Sequence, residues 1–324
     1  MGFTQERIHE ITENQKTFFR SGATLDKEYR IRQLKKLKQA MKTYEHEIED
    51  ALFLDLGRTG AEGYFCDIGT VILETNEMIR GLKKWTRPEL HFSGLCSFPS
   101  VVTRVYKMPY GSVLIISPFN FPFLLSLGVL AAAIAGGNTA VIKASSKSLN
   151  CTNVLKKLIA DIYPEEYVTV VDGGHDVAAM CLSERFDKIF YTGSPRVASH
   201  VMEMASKHLT PVALELGGET GNWCIVRKDA DIRDAARKIA FFKLMNAGQV
   251  CININQAAVA EEVADVFVEE LKKAFEKQIG NAPLDNPEYP KLIGEKAYMA
   301  CASEAMVCCL TAVCLKSLCN AATS

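Results

Sequence analysis

The sequence predicts an α/β protein organised around a parallel sheet. Three observations carry that prediction. The order strand, turn, helix recurs four times between Val113 and Ala205. The strand runs are short and apolar at successive positions, the pattern of strands covered by helices on both faces. The breaks are Ser117-Pro118, Gly136-Gly137, Gly173-Gly174 and Thr192-Gly193-Ser194, residues that stop one element and open another.

Ahead of the sheet, apolar residues fall at Ile31, Leu34, Leu37, Met41, Tyr44, Ile48 and Leu52. That spacing predicts one long amphipathic helix from Asp26 to Leu54, with lysines and glutamates on its wet face. A second helical pattern runs from Glu62 to Lys84. The stretch Arg87 to Ser100 carries Pro, Ser and Gly and ends the helices; Val101 to Tyr106 then alternates like a strand of a hairpin arm near residues 96–112. Val113 to Ile116 is the first sheet strand. The apolar stretch Phe121 to Gly137 is shorter than a membrane span and carries Pro122, so it reads as a buried helix. Thr139 to Lys143, a helix from Asn150 to Ile162, Tyr167 to Val171, Lys188 to Tyr191 and a helix with Val197, Val201 and Ala205 on one face complete a first unit, residues 1–210. A second unit, residues 211–298, opens at Pro211-Val-Ala-Leu-Glu-Leu-Gly-Gly218. It continues through Trp223 to Val226, a helix from Asp231 to Met245, the run Gln256 to Ala260, a helix from Ala264 to Lys277 and a loop from Asn281 to Pro290. Residues 299–324 form a Cys-rich tail of different composition.

The chain has 324 residues, a formal net charge of −1 and no basic stripe, which argues against a nucleic-acid partner. The amino terminus has no basic-then-apolar leader pattern, and with no membrane span the expectation is a cytoplasmic protein. Six of the eleven cysteines are scattered from Cys66 to Cys251, as suits reduced thiols in a core. The other five crowd into the tail without a CxxC pair or a nearby histidine, so no metal is expected.

No GxGxxG or GxxxxGK[ST] loop occurs. Chemistry concentrates instead at four stations. Asn246-Ala-Gly-Gln-Val-Cys251 is a helix end running into a small-residue turn that ends on a thiol; taken alone it reads first as a packed cysteine. Ser117-Pro-Phe-Asn120-Phe-Pro122 sits at the carboxyl end of a strand, where a side-chain amide can reach a ligand. Thr192-Gly193-Ser194 opens a helix whose free N–H groups favour a phosphate, or is an ordinary N-cap. Glu215, in Leu-Glu-Leu-Gly-Gly, lies inside an apolar segment, where an unpaired carboxylate is costly.

These stations, in this order, resemble the aldehyde dehydrogenase superfamily, most of all its class 3 branch, over Phe3 to Tyr298. The resemblance implies a dinucleotide-binding parallel-sheet domain followed by an incomplete α/β catalytic domain. It implies Cys251 as nucleophile toward an aldehyde, Asn120 and the Cys251 N–H as oxyanion donors, and Glu215 as the base that admits water to a thioester. Glu215 also argues against acyl transfer to coenzyme A. For the cofactor, NAD, the resemblance implies Lys143 on the adenosine ribose, Gly193 and Ser194 at the pyrophosphate, and Phe119 and Leu216 walling the nicotinamide. An apolar aldehyde wall is expected from Phe121, Phe123 and Leu124. The family also forms homo-oligomers.

Departures qualify the resemblance. The family has Lys-Pro-Ser-Glu where this chain has Lys143-Ala-Ser-Ser146, and losing the glutamate removes a repulsion toward a 2′-phosphate, so NADP is expected to be tolerated as well. Glu219-Thr220-Gly221 and Ala198 differ without touching reacting atoms. After Tyr298 the likeness stops, and no Glu-x-Phe-Gly-Pro string appears. The tail reads as a shift of reading frame, with an amphipathic partner helix as its alternative, and the expectation for the polypeptide as written is poor solubility and little turnover. A catalytically inactive remnant that binds dinucleotide is the competing reading.

Overall fold

A computed structural model describes residues 2–91, 102–218, 221–299 and 302. Helix α1 (Gln5–Arg20) opens behind an N-cap at Thr4, whose side chain accepts from the Arg7 N–H. Periodicity does not announce it, because its buried face mixes Ile8 and Ile11 with Thr12 and Gln15. Those polar groups have partners: Gln15 Nε2 donates to the Ala140 carbonyl at 2.8 Å and Thr12 donates to Ile8 O.

The long helix expected from Asp26 to Leu54 is two helices, α2 (Lys27–Thr43) and α3 (Glu45–Leu56). They break at Tyr44 (φ −94°, ψ 8°), which stays buried and donates its hydroxyl to Asp161. The break lets α2 pack on the next long helix while α3 packs on a helix of the sheet unit. The short α4 (Gly60–Gly63) and a wide turn at Tyr64–Ile68 lead into α5 (Gly69–Trp85). Strands β1 (Glu89–His91) and β2 (Thr103–Val105) form an exposed antiparallel arm, starting before the 96–112 window; Val101 and the tip lie outside the described residues.

The sheet follows: β3 (Ser112–Ile116), α6 (Val129–Gly136), β4 (Thr139–Lys143), α7 (Leu149–Ile162), β5 (Val168–Val171), α8 (His175–Ser183), β6 (Lys188–Thr192), α9 (Pro195–Ser206) and β7 (Val212–Glu215). Its order is β5-β4-β3-β6-β7, every pair parallel. This moves one boundary. The segment from Pro211 does not open the second unit; β7 is the fifth strand of the first sheet, paired with β6 from Ile189↔Val212 to Thr192↔Glu215.

Helices cover both faces. One core joins Leu34, Leu37, Met41, Ile48 and Leu52 to Val113, Ile115, Ile142 and Leu158; the other joins Ile8 and Ile11 to Leu114, Val141, Ile189 and Val201. Odd and even residues of β3 therefore go to opposite cores, as a pleated strand requires.

The second unit holds β8 (Asn222–Val226), α10 (Ile232–Leu244), β9 (Ile254–Val259) and α11 (Ala264–Ile279). The two strands pair in parallel, and the buried core is Val226, Ala236, Ile239 and Phe267. Residues 300, 301 and 303–324, and with them the tail cysteines, lie outside the described residues. Among the described residues no helix is long and apolar enough to cross a membrane.

Candidate active site

The strand order reverses direction between β3 and β6. From β3 the chain steps outward to β4 and β5, then returns to β6 and β7 on the other side. In open α/β sheets such a switch point leaves a crevice beyond the strands' carboxyl ends. Here the loops leaving β3 and β6 flank a cavity of about 410 Å³, whose lining includes Phe119, Asn120, Gly193, Ser194, Glu215 and Cys251. Cys251 is contributed by the second unit, on the loop between α10 and β9.

That loop has an unusual backbone. In the turn Met245–Gly248, Asn246 (φ 51°, ψ 35°) and Ala247 (φ 51°, ψ 34°) are left-handed, which costs about 1–2 kcal/mol per non-glycine residue. Four hydrogen bonds hold Asn246 there. Its N–H donates to Glu62 Oε1 at 2.6 Å, its Oδ1 accepts from Arg58 Nε at 2.9 Å, and its Nδ2 donates to the carbonyls of Asn120 (3.0 Å) and Gln249 (3.1 Å). Gln249 is pinned in turn: its Nε2 donates to Asn246 O and Lys291 O, and its Oε1 accepts from the Ile293 N–H. The Cys251 carbonyl accepts from Asn222 Nδ2 at 2.8 Å. The turn after Glu215 packs closely against it, for a Cβ on Gly217 would stand 3.1 Å from the Cys251 carbonyl oxygen.

Cys251 is half-exposed at the cavity, whereas Cys66, Cys151 and Cys181 are buried. Burial pushes the Cys66 and Cys181 thiols up to about 12 and raises that of Cys151 further, so these three stay protonated and inert.

Asn120 is buried, and its Nδ2 donates to Gln249 O at 3.0 Å, so the amide reaches the cysteine loop directly. Glu215 differs from expectation. It is exposed at the cavity rim rather than enclosed by apolar residues, because it ends β7, the edge strand of the sheet. Phe121 and Phe123 also differ: both are core side chains, with the Arg58 guanidinium 4.7 Å from the Phe121 ring centre, and they offer no surface to a substrate.

On the cofactor side, Ser194 is the N-cap of α9, but its side chain makes no capping hydrogen bond. Beside it the Thr192 hydroxyl is buried without a partner. Lys143 ends β4, on the far side of β3 from the β6–α9 turn. Its Nζ donates to Ala144 O and Gly173 O, each at 2.8 Å, and burial lowers its pKa. Ser146 is exposed on the loop after β4, next to Lys147, whose Nζ lies 5.0 Å from the Phe119 ring centre. Leu216 is half-buried against the apolar cluster of the second sheet face.

The aldehyde dehydrogenase family pattern matches residues 2–301. The chain belongs to the aldehyde dehydrogenase family. Among curated relatives it is 38% identical over 283 residues to the 4,4′-diaponeurosporen-aldehyde dehydrogenase of Staphylococcus aureus, covering 87% of this chain and 61% of that protein. It is 34% identical to the dimeric NADP-preferring aldehyde dehydrogenase of Canis lupus familiaris, covering 90% and 64%. The substrate-bound structure of Staphylococcus aureus AldH superposes with a TM-score of 0.88 at 36% identity, covering 91% of this chain and 64% of that one. This aldehyde dehydrogenase chain thus spans about three fifths of the length of the relatives it matches.

Sequence reasoning missed three polar residues of the aldehyde dehydrogenase fold beside the cavity: Arg58, Glu62 and Asp67. Arg58 and Asp67 form a fully buried ion pair. Glu62 is half-buried, and that burial raises its pKa despite the Asn246 N–H. Arg58 and Asp67 are nine residues apart, but the contacts that bring these three residues to the site span more than fifty positions each, and nothing in local pattern marks them.

Proposed function

We propose that this site oxidises an aldehyde to a carboxylic acid with a nicotinamide dinucleotide. The reading rests on one observation: a thiol, a carboxamide and a carboxylate, Cys251, Asn120 and Glu215, line a single cavity at the switch point of a parallel sheet.

The residues present fit a dinucleotide. The first turn of α9 has backbone N–H groups that the Ser194 side chain does not cap, a setting that favours a pyrophosphate. A Cβ on Gly193 would collide with the Tyr191 hydroxyl, so backbone alone fills that turn, and the buried Thr192 hydroxyl is left for a polar ligand. Lys143 and Ser146 would hold the adenosine ribose, Gly193 and Ser194 the pyrophosphate, with Phe119 and Leu216 flanking the nicotinamide. When bound, the nicotinamide supplies the two-electron oxidant.

The protein's own groups do the rest. The Cys251 sulfur attacks the carbonyl carbon and forms a thiohemiacetal, and the developing oxyanion takes hydrogen bonds from Asn120 Nδ2 and the Cys251 N–H. Oxidation leaves a thioester on Cys251. Glu215, at the rim and open to solvent, takes a proton from water, which attacks the thioester and releases the acid and the thiolate. Release to water rather than to coenzyme A follows from having that carboxylate present.

The test is NADH formation with an aliphatic or aromatic aldehyde by the purified chain of verified mass. Cys251→Ser is expected to lower kcat by roughly 10³-fold or more, since the hydroxyl is a far weaker nucleophile at neutral pH. Equal rates in wild type and Cys251→Ser would reject the mechanism.

A further inference from the structure

We propose that Arg58 is a positioning residue for this reaction, holding the Asn120 amide and the Cys251 loop in register with one another; the proposal rests on the function given above. The guanidinium is fully buried and forks to three places. Nη1 donates to Asp67, Nε donates to Asn246 Oδ1 at 2.9 Å, and Nη2 donates to the main-chain carbonyl of Asn120. Asp67 extends the grip: its Oδ1 accepts the Phe123 and Leu124 N–H groups at 3.0 and 2.8 Å, so the turn after Asn120 is fixed on its far side too.

Two loops from different units thereby meet on one side chain. The loop after β3 carries the carboxamide; the loop after α10 carries the thiol. Asn246, which accepts from Arg58, is also one of the two left-handed residues in the turn that leads to the cysteine, and its Nδ2 donates to the same Asn120 carbonyl. A buried ion pair needed for stability alone could be replaced by apolar residues at little cost. This one directs two of its three donors at the segments that bear the reacting groups. Lysine cannot substitute, because a single ammonium lacks the planar fork that spans these acceptors.

Arg58→Lys keeps the charge opposite Asp67 and removes the fork. With aldehyde and NAD, kcat is expected to fall about 10- to 100-fold while KM for NAD stays within about twofold, the signature of misplaced reacting groups. A second readout needs no turnover: iodoacetamide labelling of Cys251 and of Cys224, the half-exposed thiol on β8, followed by peptide mass spectrometry. Arg58→Lys is expected to slow labelling of Cys251 about threefold or more and to leave Cys224 unchanged. Wild-type kcat and labelling would overturn the proposal. So would faster labelling of both thiols together, which marks general loosening. If Arg58→Lys does not fold, Asn246→Gly reads the same contact. Glycine accepts the left-handed backbone, removes the Oδ1 that accepts from Arg58 Nε together with the donors to Asn120 O and Gln249 O, leaves the Arg58–Asp67 pair intact, and carries the same expectations. Absence of NADH formation by the wild-type chain rejects the oxidation mechanism, whereas the labelling ratio still decides the role of Arg58.

Discussion

Ser146 is a small side chain at a place where the aldehyde dehydrogenase pattern has a carboxylate. It is exposed, on the loop that leaves Lys143 at the end of β4, so a glutamate there would meet no packing obstacle. A carboxylate beside the ribose would repel a 2′-phosphate; like-charge contacts of this kind discriminate by rejecting the wrong ligand. Ser146→Glu is expected to lower kcat/KM for NADP relative to NAD by about tenfold, or ~1.4 kcal/mol, and an unchanged ratio removes Ser146 from cofactor choice. That Cys251, Asn120 and Glu215 line one cavity agrees with the grouping the family resemblance implied, which no one of these residues announces by itself. Their surroundings were not legible in the sequence. The exposure of Glu215 depends on β7 being the sheet edge, and the grip of Arg58 on Asn120 and Asn246 joins positions 62 and 188 residues away. Neither is encoded in any local window.

The helices show the same division between what spacing reveals and what pairing reveals. The apolar stripe on α2 was plain in the sequence, and so was its start, since Asp26 accepts from the Glu28 and Tyr29 N–H groups at 3.1 and 3.0 Å. Asp26→Ala should therefore cost about 1 kcal/mol in urea unfolding with an unchanged slope; no loss would mean that packing alone sets the helix start. The break at Tyr44 could not be read from a stripe that continues across it. Helix α1 was missed because its docking face mixes two apolar residues, Ile8 and Ile11, with polar contacts. Gln5 Nε2 donates to Glu184 Oε1 at 2.6 Å, and His9 Nδ1 lies 2.9 Å from Glu184 Oε2. That hydrogen bond and the carboxylate charge raise the His9 pKa above its usual value near 6.5. The sign follows from proton binding: the folded chain holds the proton more tightly than the unfolded one. The contribution is complete below pH 6.5 and is lost as pH rises through the raised folded value. In an NMR titration Glu184→Gln is expected to return the His9 midpoint toward 6.5. A midpoint unmoved by that substitution would detach α1 docking from this pair.

Across the whole chain, the two units are unequal in the quantity that resists unfolding, which is buried apolar surface. The sheet unit has apolar cores on both faces of five paired strands. Among the described residues the second unit buries five hydrophobic side chains around one strand pair, two of them alanines, and Trp223, Ile225 and Ile252 are 61%, 76% and 82% exposed. The order strand, turn, helix made the first unit readable, because a parallel sheet imposes a period on the sequence. It could not show that β7 closes that sheet, since a lone strand run fits either neighbour. Local opening free energy follows buried contacts, so the units must differ in hydrogen exchange. Amides of β8, β9 and α10 are expected to exchange well before those of β3, β4 and β6, with the Cys251 loop following the faster group. The cavity wall bearing the thiol is then the compliant one and the wall bearing the proposed phosphate site the rigid one. A ligand that spans both walls must slow exchange chiefly at the Cys251 loop, and saturating NAD is the probe. Uniform exchange across the units would overturn the difference in rigidity, and protection by NAD confined to the β6–α9 turn would mean that the thiol loop takes no part in holding the cofactor.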